Sequence, residues 1–372
     1  MSSALRPLVN EVAKANREQD VQAFKVVLSR LARAARDTAS PAELTAVIQE
    51  LVPLLRTAVG ISTELAVLAG ACVEWGGSPA PLTEVLPGRA VTAMLGYALF
   101  PDAWRAASGG QPLPDRNSNV EATGLVTDYA ARNGRRVDMY RTVATSWFDV
   151  MDWIKPMITC MARREFRSAL PAGAVREVRD AAAAIAADQP GEQPDDTARS
   201  AHWLEGLAMV LDDEPLIVLD PASGRGYRLT MSGVGDNFQL HTLLADRLSG
   251  QGGIPGLAPP RRDWVAEATD APLVNHSGTD PIVRRFRLYD GTGSYVYPEG
   301  RPADIGMTAG TRVLVIHPTN GSYGWAHART YVHMKPALTL DAALAPEEAA
   351  GWLGRIAPAN ETDMMAARQD GR

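Results

Sequence analysis

The sequence predicts an α+β protein: an all-helical N-terminal bundle or irregular α-solenoid, followed by a mixed, β-hairpin-rich C-terminal domain. Three observations predict it. Apolar residues in the first half recur at three- and four-residue spacing. Residues 188–199 gather two prolines, a glycine and several acidic side chains. Beyond them, short runs rich in β-branched and aromatic residues lie between proline and glycine turns. The expected organisation is a helical domain over residues 1–187, a linker over 188–199, a β-rich α+β domain over 200–358 and a flexible tail over 359–372. A chain of 372 residues has length for about two such cores.

Within the helical half, Ser40, Pro41 and Glu43 form a capping box with proline at the first helical position. Leu44, Val47, Ile48, Leu51, Leu54 and Leu55 then share one face. Pro53 is expected to kink this helix, and Gly60 and the Gly76-Gly77 pair to stop it and the next. Residues 108–118 read as a surface loop. A long helix follows with Met139, Val143, Trp147, Val150, Met151 and Ile154 on one face, and Pro156 is expected to kink or end it. Asp149 and Asp152, three apart, have the spacing of an acid/base pair, although a solvated helix face is the commoner origin of such spacing. No fixed repeat period is present, so no solenoid class is singled out.

The second half opens with a helix containing His202, Trp203 and Leu207, and then changes period. Strands are expected over 216–219, 227–231, 283–289, 295–297, 312–317 and 325–334, with helices over 236–248 and from Pro346 onward. Residues 216–224 and 313–321 resemble one another: each is an apolar run, a polar residue, a proline and a glycine turn. Such likeness fits either a duplicated hairpin or shared turn chemistry.

Two places have residues that suit a ligand. Gly233, Gly235 and Asn237 lie at a strand-to-helix junction, where free backbone N–H groups and the helix dipole favour an anion. The third glycine of a dinucleotide fingerprint is replaced by Phe238, and no P-loop lysine follows. Asp236 is placed to cap the helix itself through Gln239, which favours a structural turn. In the expected strand 325–334, Trp325, His327, Arg329, Tyr331 and His333 alternate with small or apolar residues. That face, with His317 on the preceding strand, carries aromatic, imidazole and guanidinium groups suited to a planar or anionic ligand. His327 and His333 stand roughly 20 Å apart on an extended strand, too far to share an ion. A site begun by His317 and His327 with Asp290, Glu299 or Asp304 matches no zinc spacing, so no metal is expected. His241 and the Asn275-His276-Ser277 loop carry no nucleophile pattern.

A net charge of −6 provides no general attraction to nucleic acid or anionic membrane. No apolar run reaches bilayer length, and the first 20 residues lack a signal-peptide core, so a soluble cytoplasmic protein is expected. Cys72 and Cys160 read as reduced, buried thiols. Arginine displaces lysine almost everywhere except Lys14, Lys25, Lys155 and Lys335, a usage expected of a GC-rich bacterial genome. The functional expectation is a non-catalytic binding or scaffold module, with the helical half engaging a protein partner and the β-rich half a ligand or second partner. The alternative is an enzyme centred on His317, His327, Arg329 and His333, with Asp236 or Asp304 adding a carboxylate. No cofactor motif is present.

Overall fold

A computed structural model describes residues 5–115, 118–187, 195–278, 280–319 and 323–360. Contacts divide the chain into two units, Met1–Ala208 and Met209–Arg372. The fold is α+β: among the described residues every strand lies at or after Glu214.

The first unit contains α1 (Leu5–Glu18), α2 (Val21–Thr38), α3 (Pro41–Leu55), α4 (Glu64–Glu74), α5 (Leu86–Ser108), α6 (Asn119–Arg132), α7 (Val137–Met161), α8 (Arg164–Ala169), α9 (Ala172–Ala187) and α10 (Asp196–Ala208). The capping box forms: Glu43 N donates to Ser40 Oγ, and Ser40 N donates to Glu43 Oε2 at 2.9 Å. A long apolar helix attracts partners on several sides, and α7 packs against α4, α5, α6 and α10. That arrangement is a bundle around a central helix, whereas a solenoid packs only sequential neighbours. Pro156 does not end α7. It is buried where a Cβ on Gly70 would lie 2.8 Å from it, so close packing of α4 on α7 outweighs the missing backbone hydrogen bond.

The expected linker falls largely outside the described residues (188–194), as does most of the expected tail (361–372). The helix predicted to open the second domain, α10, packs instead on α9 and α7 through a buried face that includes Ala198, Ala201, Leu204 and Leu207. The helical unit therefore runs to Ala208.

The second unit contains β1 (Glu214–Asp220), β2 (Arg225–Ser232), α11 (Asn237–Leu248), α12 (Arg262–Thr269), β3 (Ile282–Val283), β4 (Phe286–Asp290), β5 (Met307–Thr308), β6 (Thr311–Pro318), β7 (Gly324–Trp325), β8 (Ala337–Ala343) and α13 (Pro346–Leu353). Its main sheet has the order β4-β6-β1-β2-β8, with β5 also on β6, while β3 and β7 form a separate pair. Among the described strands only β1 and β6 run parallel, Ile217 opposite Val313 and Leu219 opposite Val315. Both faces of this central pair are covered, which is why β1 reads as an unbroken apolar run. Leu216, Val218, Leu314 and Ile316 pack with Leu240, Leu244 and Trp264 of α11 and α12. Ile217, Leu219, Val313 and Val315 pack on the other face with Trp352, Leu353 and Ile356 at α13.

Four expectations for this unit change. Residues 326–334 are irregular rather than strand, because side chains of both parities turn inward: Ala328, Arg329, Tyr331 and Met334 are all buried. The expected strand 283–289 breaks at Arg284-Arg285, and 295–297 contributes a single bridge, Tyr295 to Tyr289. Helix α12 and edge strand β8 arise where no strand or helix was read. The two similar segments do not make two hairpins: β1 turns into β2, whereas β7 pairs with β3 and not with β6. Shared turn chemistry suffices to explain the likeness.

Candidate functional site

The glycine junction is occupied by the fold. Asp236 caps α11, accepting from Gln239 N at 2.7 Å and, through its other oxygen, from Thr330 N at 2.8 Å. Burial raises its pKa, and the N–H groups it accepts from oppose that rise. Gly233 N donates to Leu211 O, Gly235 N to Gln239 Oε1 and Asn237 N to Gly300 O. Asn237 Nδ2 donates to Tyr297 O, while its Oδ1 is a buried acceptor without a donor. The Tyr331 ring fills the space where a Cβ on Gly235 would stand, 2.4 Å from its Cδ2. An anion here meets donated N–H groups, an aromatic ring and unshared acceptor electrons.

The six ligand candidates separate. Trp325 is a core residue, its ring 5.1 Å from Phe238 and 5.4 Å from His241. Tyr331 packs on Gly235. Arg329, 4% exposed, holds the end of α12: Nη1 donates to the carbonyls of Glu267 and Ala271, and Nη2 to Val332 O. Burial lowers its pKa, with Asp270 and Glu267 opposing. His327 and His333 are exposed. His317, half-buried on β6, lines a concavity.

That concavity is a cleft of about 280 Å³ on the α13 side of the sheet, lined by Pro221, Tyr289, Val315, His317 and residues 356–359. It lies at the carboxyl ends of β1 and β6, the edge at which ligands of parallel strands collect. The His317 ring meets Tyr289 edge-on at 5.0 Å. Tyr289 continues into Tyr295 at 5.5 Å, and Tyr295 into Tyr297 at 5.0 Å. Arginines flank this aromatic row. Arg287, opposite His317 in register, donates from Nε to Pro318 O at 3.1 Å and from Nη1 to the Tyr289 hydroxyl at 3.4 Å. Arg284 donates from Nη1 to the Tyr295 hydroxyl at 3.0 Å. Three arginines in four residues, 284–287, followed by spaced tyrosines, are the sequence signal for this corner.

The remaining buried titratable groups serve packing. His241 accepts from Arg285 N at 2.8 Å; burial, with Arg284 and Arg285 nearby, lowers its pKa to about 3, so it stays neutral. His276 pairs with Glu267 at 3.0 Å, both nearly solvent-free. Cys72 and Cys160 are buried, and burial pushes the Cys72 thiol up to about 12, away from nucleophilic use. Asp149 corrects the expectation of a solvated face: it is 8% exposed and accepts from Gly60 N at 2.8 Å, while Asp152 accepts from the Thr63 hydroxyl. Among the described residues no three metal-binding side chains cluster, and no helix is long and apolar enough to cross a membrane. Comparison with protein-family models, curated proteins and solved structures finds no match, so the geometry alone carries the functional reading.

Proposed function

We propose that the chain is a cytoplasmic, non-catalytic binding module whose C-terminal unit takes a small ligand in the His317 cleft and whose helical unit engages a protein partner. The cleft carries this reading: it joins a concave apolar wall to a few polar groups at a strand edge, the usual composition of a ligand site. Dispersal of the proposed catalytic set supports binding over catalysis, since His327 and His333 face solvent and Arg329 is engaged by backbone carbonyls. For the helical unit, support comes from a hollow of about 420 Å³ in which Phe24, Val21, Val59 and Ile61 face Asn16, Gln19, Asp20, Thr57 and Ser62, with Val21 and Val59 half-exposed. A partner side chain with an apolar stem and a polar end suits it.

The test uses Ala357→Trp, which puts an indole into the cleft from an exposed wall position. A small-molecule panel is screened by thermal shift on wild type and variant. Compounds that raise the wild-type Tm are expected to lose that effect on the variant, and no product should form on incubation. Equal shifts in both proteins, or turnover of a compound, would contradict the reading.

A further inference from the structure

Arg284 is a buried cation surrounded by neutral groups. It is 8% exposed, its Nη1 and Nη2 donate to the hydroxyls of Tyr295 and Thr319 at 3.0 and 3.3 Å, and its Cζ lies 5.5 Å from the Tyr323 ring centre. Its Nε is buried without a hydrogen-bond partner. Among the described residues Arg284 forms no ion pair, and Glu299, the carboxylate joined to Tyr323, accepts from the Tyr323 hydroxyl. A guanidinium withdrawn from water without a counter-charge keeps its desolvation cost and gains little Coulomb energy in return. Hydroxyl dipoles and a ring face offset part of that cost, and an anion would offset more.

The surroundings say what kind of anion. Arg284 and Arg287 reach consecutive residues at the end of β6, the Thr319 hydroxyl and the Pro318 carbonyl. Arg287 also touches Tyr289, which lines the cleft, and His317 stands across from it. Thr319 and Tyr323 are exposed. A guanidinium fork matches the paired oxygens of a carboxylate or phosphate. About 280 Å³ between Tyr289, His317 and Pro358 holds a single ring with a short substituent. Resting on the cleft reading above, we infer that this corner binds a compact aromatic oxyanion, its carboxylate or phosphate against Arg284 and Thr319 and its ring in the cleft.

Calorimetric titration of the full chain with phenyl phosphate, benzoate, benzyl alcohol and inorganic phosphate tests this. At least one of phenyl phosphate and benzoate should bind about tenfold or more tightly than benzyl alcohol, and weaken as salt rises. Whichever of the two binds better identifies the group as phosphate or carboxylate. Arg284→Met should reduce the anion to the affinity of the alcohol. Thr319→Val, at an exposed position, is the second variant should Arg284→Met fold poorly, and it should weaken the anion about threefold or more without affecting the alcohol. Benzyl alcohol binding as tightly as the anions would overturn the oxyanion inference and leave the cleft reading standing. Inorganic phosphate binding undiminished in Ala357→Trp, while phenyl phosphate binds no better, would separate anion from cleft and overturn it too. No binding of any of the four probes would overturn both.

Discussion

Asp236 and Arg284 are both buried charges in the C-terminal unit, at 7% and 8% exposure, yet their surroundings are opposite. Both Asp236 oxygens accept backbone N–H groups, one from its own helix and one from Thr330, 94 residues along the chain. Arg284 meets hydroxyls and a ring, and one of its nitrogens meets no acceptor. The first charge ties the irregular segment around Thr330 to the start of α11. The second adds little to the fold and is positioned for something the fold does not supply. A buried charge is informative only once its partners are counted.

The largest effect expected from this contrast is on Asp236. Asp236→Ala leaves the buried Gln239 N–H and the part-buried Thr330 N–H without acceptors and should cost ~3 kcal/mol in chemical denaturation. A loss below ~1 kcal/mol would mean the carboxylate is as dispensable to folding as the contrast makes Arg284. Next comes Arg329, whose Nε is also buried without a partner but whose Nη atoms are held by the carbonyls of Glu267, Ala271 and Val332. Arg329→Met should cost ~2 kcal/mol, measured the same way, by orphaning the end of α12. A neutral result would show that carbonyl partners do not distinguish it from Arg284.

Asp149 in the helical unit lies between these cases, with one backbone donor and imperfect compensation. Burial, with Asp152 beside it, raises its pKa to about 6 against the opposing pull of Gly60 N and Arg89. The folded state therefore holds this proton more tightly than the unfolded chain, whose Asp titrates near ~3.9. Stability from this group is fullest below ~pH 4 and is lost as pH rises through about 6. Asp149→Asn keeps an acceptor for Gly60 and abolishes the titration. Its unfolding free energy should gain about 1–2 kcal/mol on wild type between pH 4 and 7. Parallel pH profiles would contradict this. The smallest effect is expected at His327 and His333, where alanine should change stability by no more than ~0.5 kcal/mol and leave probe binding intact. Loss of binding in either would return the site to that segment.

The legible parts of this fold are those decided locally. Ser40 and Glu43 satisfy each other within one turn, Asp236 accepts from Gln239 N in the first turn of α11, and the β1 and β6 runs are apolar because both their faces are covered. Edge strand β8 was not legible because Leu338 is its only buried residue, which leaves no alternation to read. The regular alternation over 325–334 misled for a different reason. Tyr331 was drawn in by Gly235 and Arg329 by the carbonyls of α12, so period two there reflects tertiary packing and not a pleat. Of the candidate site, only His317 was recognised. Arg284, Arg287, Tyr289 and Tyr295 come together through the pairing of β4 with β6 and the return of residue 295 to Tyr289, neither of which is local in sequence.

The most direct measurement is the melting temperature of Arg284→Met against wild type, each with and without whichever of phenyl phosphate and benzoate binds the wild type more tightly. If Arg284 is held for a ligand and not for the fold, the variant melts within a few degrees of wild type or above it, and the ligand-induced rise disappears. A variant that melts far below wild type, yet keeps the full ligand-induced rise, would contradict the account, because Arg284 would then serve the fold as Asp236 does.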